Sequence, residues 1–260
     1  GKTYSRDNLR TKNTFITILV AYADRYECGQ WDYLTSDTRK LVELYYESNY
    51  FFRNMSFEHF CKLIEDIKLH YESPKAFERP KEEDIENLRQ EIINKFNKLD
   101  VLVNNASIAI DTTFSDKTKE NYMKILEVNL VGTFLVSKIM STIMSDNSSI
   151  INISSTNGID TYYEYSLDYD SSKAGVINLS HNLANYLSPK IRVNTICPGW
   201  INTPMNKDMD AEFRKQEEDK ILLKRFAEPN EIANLIYFIS SEEASYINDS
   251  VIRIDGGKKC

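Results

Sequence analysis

Tyr169 and Lys173, in the run YDSSK, stand four residues apart near the start of a helical pattern. On a helix that spacing puts both side chains on one face, with Cβ atoms about 5–6 Å apart. A phenol, with a pKa of about 10, is a poor acid–base catalyst at neutral pH. A neighbouring ammonium favours the phenolate and moves it toward the working range. Taken alone, the pair also reads as an ordinary feature of a solvated helix. Ser155 ends the apolar run IINISS fourteen residues earlier. It would emerge at the carboxyl edge of a sheet, where open α/β sheets bind ligands. Asn129 lies in a stripe with Tyr122, Leu126, Thr133, Val136 and Met140. An amide in a mostly apolar stripe must be hydrogen-bonded or it costs stability, so it reads as a structural anchor or as part of a site. Asn104-Asn105 closes the run LDVLVNN, and Pro198-Gly199 closes another with Thr203 four residues on.

These residues need elements to carry them. Four short, β-branched runs bounded by turn residues read as buried strands: 101–103, 150–153, 192–196 and 251–254. Between them lie helical patterns at 119–144, 169–187 and 228–240, with a shorter one at 209–220. Such alternation predicts βαβ units, hence a doubly wound parallel sheet with helices on both faces. Upstream, 81–96 is an amphipathic helix with Ile85, Leu88, Ile92 and Phe96 on one face, and 56–70 and 37–47 read as further helices. Residues 50–52 read as a short strand and 15–20 as the first strand, although 13–28 also reads as a helix stopped by Gly29. With a strand at 15–20 the whole chain, 1–260, is one Rossmann-like domain. With a helix there, the first 36 residues are an added segment.

The 260 residues hold 42% hydrophobic and 27% charged side chains, ordinary globular proportions. With 32 basic and 39 acidic residues the net charge is −7, which disfavours nucleic acid or an anionic membrane as partner. No apolar run approaches the roughly 20 residues needed to span a bilayer, and no signal-peptide pattern opens the chain. Cys28, Cys61, Cys197 and Cys260 are scattered without metal-ligand spacing, so no zinc site or disulfide framework is expected and a reducing cytoplasm suits them. Only 8 residues are glycine, less than half the usual share of about 7%.

From residue 81 onward the chain resembles the short-chain dehydrogenases/reductases, nearest the branch of 3-oxoacyl-carrier-protein reductases and sugar dehydrogenases. The resemblance rests on LDVLVNNAS, EVNLVGTF, SIINISSTNG, YDSSKAGV, RVNTICPGWINTPM and RFAEPNEIA…ASYINDSVIRIDGG, in that order. Residues 38–80 match more loosely. The resemblance implies carbonyl–alcohol interconversion with a nicotinamide cofactor. Tyr169 would be the proton donor or base, Lys173 would lower its pKa and bind the nicotinamide ribose, and Ser155 would polarise the substrate oxygen. Asn129 would anchor a water that relays protons to Lys173. Asn104, Ala106, Pro198, Gly199, Ile201 and Thr203 would line the cofactor with Tyr169 and Lys173. A small carbonyl or alcohol substrate and a homodimer or homotetramer follow from the same resemblance.

The family's TGxxxGxG loop, whose glycines let the backbone approach the pyrophosphate, has no counterpart. The corresponding stretch, AYADRYECGQWDYLTSDTRK, holds Gly29 alone. NNAG has become NNAS at Ser107, and the glycine of RFG is Ala227. Two readings stand: an NAD(P)(H)-dependent reductase with a rebuilt phosphate site, or a non-catalytic relative acting as a binding or scaffolding subunit. Arg53, after the second strand in YFFRN, leans the cofactor toward NADP(H) over NAD(H). Tyr162, Tyr163 and Tyr165 suggest an aromatic wall beside the substrate, and the segment 203–224 corresponds to the family's substrate lid.

Overall fold

The computed structural model describes residues 82–203, 206 and 209–257, all within the compact unit Pro80–Cys260. Arg53, the expected elements at 15–20 (or 13–28), 37–47, 50–52 and 56–70, and part of the expected domain 1–260 lie outside these residues.

The described elements are α1 (Glu82–Phe96), β1 (Leu99–Asn104), α2 (Lys119–Leu126), α3 (Gly132–Met140), β2 (Met144–Ile153), α4 (Leu167–Leu187), β3 (Ile191–Pro198), α5 (Ala211–Lys220), α6 (Pro229–Ser240) and β4 (Val251–Ile254). The strands form one sheet in the order β1-β2-β3-β4. All three pairings are parallel. Parallel neighbours need crossovers, which helices α2–α3, α4 and α5–α6 supply in turn.

Side-chain alternation assigns the two faces. Val101, Val103, Ile151 and Ile196 pack with Ile232 and Ile239 of α6. Burial of each such aliphatic side chain is worth about 1.5–3 kcal/mol. The residues between them face α3 and α4, and here the core is polar. Asn104 Nδ2 donates to Ser137 Oγ of α3 (2.9 Å) and to Asn152 Oδ1 of β2 (2.7 Å), and Asn152 Nδ2 donates to Ser180 Oγ of α4 (2.8 Å). Every member is buried, and each amide has a partner, as interior amides require.

Several expectations need correction. The helix expected at 119–144 is broken: a π-helical turn, Glu127–Val131, separates α2 from α3, a 3-10 turn follows at Ser141–Ile143, and Met144 already opens β2. The added residue in the π turn turns the buried stripe, which is Ile125, Asn129, Thr133, Ser137 and Met140. Residues Lys119–Ile143 together are long and apolar enough, by length and composition, to cross a membrane, although no such run was expected. Here α3 packs against β1 and β2, and α2 against α4. In α1 only Ile85 and Ile92 of the expected face are buried, and Leu88 and Phe96 are exposed.

Candidate active site

The site is assembled where β2 ends. Ser155 follows that strand with an extended backbone (φ −158°, ψ 160°) and caps the short turn Thr156–Gly158, its Oγ accepting the Asn157 N–H at 3.2 Å. Two contacts fasten this turn to α4. Ser154 Oγ donates to the Lys173 carbonyl at 2.8 Å. At Gly158 an added Cβ would lie 2.7 Å from the Lys173 carbonyl carbon, so only glycine allows so close an approach.

Helix α4 begins at Leu167, two residues before the expected start, which makes Tyr169 its third residue. Lys173 is 3% exposed. Its Nζ donates to the Ile153 carbonyl at 3.1 Å and lies 5.4 Å from the centre of the Tyr169 ring. An ammonium at that range is attracted to the ring face. Ser155, which follows β2, and Tyr169 and Lys173, on the helix fastened to that turn, therefore lie at the carboxyl end of the parallel sheet.

Asn129 is a hydrogen-bonded anchor in the structure. Its Oδ1 accepts the Ile108 N–H (2.8 Å), and Nδ2 donates to the Ile108 carbonyl (2.9 Å) and to Ser172 Oγ (3.0 Å). Both amide protons are engaged, so the side chain ties the loop after β1 to α4. The Asn104 side chain lies in the core with Ser137 and Asn152, and its backbone ends β1 at the carboxyl edge of the sheet. Ile201 bridges Ala227 and packs against the apolar cluster of the α6 face. Ala106 is exposed beyond β1, and Gly199, Ile201 and Thr203 are half-buried in the segment after β3. Pro198 ends β3 and is buried. Gly199 donates its N–H to Ile254 O at 3.0 Å, and a Cβ there would meet Asp255 Cβ at 2.7 Å.

Sequence reasoning missed several residues that hold the site. Asp170 Oδ1 accepts from Asn157 Nδ2 and from Ser166 Oγ, both at 2.7 Å, joining the Ser155 turn to the first turn of α4. Acidic residues in a helix's first turn complement its dipole, and Asp168 and Asp170 carried that signal. Cys197 is buried beside Ser154 and Lys173. Burial pushes its thiol up to about 11, which keeps it protonated and inert.

The tyrosine segment borders this edge. Tyr163 meets Tyr165 edge-on at 5.4 Å between ring centres and approaches Phe213 of α5 at 6.2 Å. Burial raises the Tyr163 phenol above its ordinary value. Tyr162 points into solvent at 86% exposure and is no part of a wall. Beneath α5, Trp200 stacks on Phe226 at 5.4 Å and donates from Nε1 to the buried Glu217 at 2.8 Å.

The residues present suit the nicotinamide end of a dinucleotide. A buried ammonium and a half-buried phenol sit at the sheet edge. Ser107 Oγ, on the segment that would face the ligand, is buried with no partner, an orphan that a ligand's polar atom would satisfy. Among the described residues no cluster of His, Cys, Asp and Glu could hold a metal ion.

A parallel α/β sheet covered by helices, with Ser155, Tyr169 and Lys173 toward its carboxyl edge, is an architecture of the Rossmann-like class. The family described as enoyl-(acyl carrier protein) reductase matches residues 77–259. The chain is 38% identical over 176 residues to the 3-oxoacyl-acyl-carrier-protein reductase of Thermotoga maritima, covering 66% of this chain and 71% of that protein. It is 34% identical over 183 residues to glucose 1-dehydrogenase 2 of Bacillus subtilis, covering 68% and 70%. Among solved structures, a short-chain dehydrogenase/reductase from Brucella melitensis, of the glucose/ribitol dehydrogenase kind, superposes with a TM-score of 0.68 at 25% identity, over 76% of this chain and 82% of that one. The chain belongs to the short-chain dehydrogenase/reductase family, near the 3-oxoacyl-acyl-carrier-protein reductase branch.

Proposed function

We propose that the protein interconverts a carbonyl and an alcohol with NAD(P)(H), leaning to NADP(H) through Arg53, and that Tyr169 moves the proton. The observation that carries this reading is the convergence of Ser155, Tyr169 and Lys173 at one sheet edge, with Lys173 Nζ 5.4 Å from the Tyr169 ring centre. Lys173, Tyr169, Pro198, Gly199, Ile201, Thr203, Ala106 and the Asn104 backbone would hold the cofactor. When bound, the nicotinamide supplies or accepts the hydride.

The chain's own residues do the rest. In the reducing direction the Tyr169 hydroxyl gives its proton to the substrate oxygen, while the Ser155 hydroxyl donates a hydrogen bond to the same oxygen and orients it. The Lys173 ammonium, anchored on the Ile153 carbonyl, stabilises the phenolate that results. Oxidation of an alcohol runs through the same groups in reverse. Asn129 holds the loop and helix in register through Ile108 and Ser172.

Relatives named for 3-oxoacyl-acyl-carrier-protein and for glucose support a 3-oxoacyl compound or a sugar as the substrate class, and the family resemblance leans toward a homodimer or homotetramer. The missing glycine loop, with Gly29 alone in its place, favours the second reading, a non-catalytic binding subunit. Calorimetry with NADPH and NADH separates the two. Micromolar binding, weakened about tenfold or more in Lys173→Ala and retained in Tyr169→Phe, with turnover lost in Tyr169→Phe, supports the reductase. Absence of binding to either nucleotide at millimolar concentration refutes it.

A further inference from the structure

Lys117 and Asp168 form an ion pair that the mechanism above does not use. Lys117 Nζ lies 3.0 Å from Asp168 Oδ1, and the side chains are 6% and 0% exposed. All three ammonium protons have acceptors: Asp168 Oδ1, the Ile110 carbonyl at 2.8 Å and the Tyr165 carbonyl at 3.1 Å. The acceptors belong to different segments. Ile110 is in the loop after β1, Tyr165 in the tyrosine segment before α4, and Asp168 in the first turn of α4. Asp168 Oδ1 also accepts the backbone N–H of Tyr169 at 2.9 Å. The other carboxylate oxygen, Oδ2, is buried without a partner.

A buried carboxylate with one bare oxygen is a costly choice. An asparagine would accept the Tyr169 N–H equally well without a charge. The charge therefore calls for a reason beyond capping, and its place is the residue preceding Tyr169. The other titratable groups around the pair are Asp111 on the loop after β1, Asp170 on α4 and, beside Asp111, Tyr163 on the segment before α4. Partial desolvation, with Asp168 and Asp170 adding to it, holds the Asp111 carboxyl above its ordinary range despite the opposing pull of Lys117.

We propose that Lys117 and Asp168 are positioning residues for Tyr169. The pair pins the first turn of α4 to both loops that border the site and keeps the net charge beside the phenol balanced. This rests on the reading of Tyr169 as the proton-transfer residue. The two charges act on that phenol with opposite sign. Removal of Lys117 leaves a carboxylate that disfavours the phenolate, and removal of Asp168 leaves an ammonium that favours it.

The test uses the full chain with Lys117→Met, Asp168→Asn, the double variant and Tyr169→Phe. Ring-labelled tyrosine is titrated by carbon NMR, with the Tyr169 signal assigned by its loss in Tyr169→Phe. NADPH-dependent reduction of ethyl acetoacetate gives kcat and KM. The Tyr169 midpoint should rise by about half a pH unit or more in Lys117→Met, fall by a similar amount in Asp168→Asn, and return in the double variant. In Lys117→Met, kcat should fall about tenfold with KM for NADPH nearly unchanged, and the double variant should recover most of it. Midpoints that do not move, or that move the same way in both single variants, overturn the proposal. Should Lys117→Met fail to fold, the downward shift in Asp168→Asn and its reversal in the double variant decide the matter. Wild-type turnover in Tyr169→Phe would instead sink the reading of the site, and the titration would still judge the pair.

Discussion

Gly158 offers the sharpest perturbation. A Cβ at this residue would lie 2.7 Å from the Lys173 carbonyl carbon, 2.8 Å from its oxygen and 2.9 Å from the Ala174 nitrogen. Those are backbone atoms of α4, which cannot swing aside as a side-chain tip does. Ordinary contact begins at 3.4 Å, so Gly158→Ala must part turn and helix by about 0.5–1 Å, at a cost of about 1–3 kcal/mol. For a domain of this size each kcal/mol lowers Tm by about 2–4 °C. The parting opens the distance between Ser155 on one side and Tyr169 and Lys173 on the other. Misplacement of about 1 Å costs on the order of a hundredfold in rate. The expected outcome is a folded protein with Tm lower by about 2–12 °C, kcat lower by about ten- to a hundredfold, and NADPH affinity within about threefold of wild type. Thermal denaturation, calorimetry and steady-state kinetics read these three quantities. Gly175→Ala is the control, since the atoms nearest its Cβ, at 2.8 Å and beyond, would belong to the Leu130 side chain. Wild-type kcat in Gly158→Ala would refute the idea that this contact sets the distance between Ser155 and the helix.

Three other outcomes are expected. Asn152→Ala takes one of two acceptors from the Asn104 amide and the donor from the Ser180 hydroxyl and should cost about 1–3 kcal/mol in chemical denaturation; an unchanged midpoint would contradict the buried network. Phe213→Ala removes the α5 partner of Tyr163 and should raise substrate KM about tenfold with little change in NADPH affinity; equal loss of both would place Phe213 outside the substrate side. Cys197, its thiol pushed up to about 11 by burial, should resist iodoacetamide at pH 8 in the native protein and label only on unfolding. Peptide mass spectrometry reads this, and native labelling at the rate of a free thiol would disprove the burial.

The strands were legible because β-branched runs such as VLV and IINI fall between turn residues, and the structure extends each of the first three by a few residues. The Tyr169–Lys173 pair was legible because helical spacing alone joins them. What composition could not reveal was the break in the long helix. Within the π turn Asn129 bonds Ile108, which is distant in sequence, and periodicity reads only neighbours. The same limit hid Lys117: a lysine between two polar residues looks solvated until the fold brings Ile110, Tyr165 and Asp168 around it. The protein partners of the Asn104 and Asn129 amides were hidden in the same way, since Ser137, Asn152, Ile108 and Ser172 are all distant in sequence.

The thread Asn104–Asn152–Ser180 has a bearing on alignment. Hydrocarbon is indifferent to sliding: Ile150 and Ile151 would each be at home on either face of the sheet. Amides are not. A one-residue slip of β2 along β1 would swing Asn152 toward Ile232 and Ile239 and set an isoleucine against Ser137 and Ser180, stranding several polar groups at about 1–3 kcal/mol each. Two greasy strands are thereby given a single way to mesh, as teeth give one to a key. Because Ser155 lies three residues beyond Asn152, whatever fixes that mesh also fixes how far the serine hydroxyl reaches past the sheet edge. The reach of Ser155 at the sheet edge is set by a polar thread inside the core.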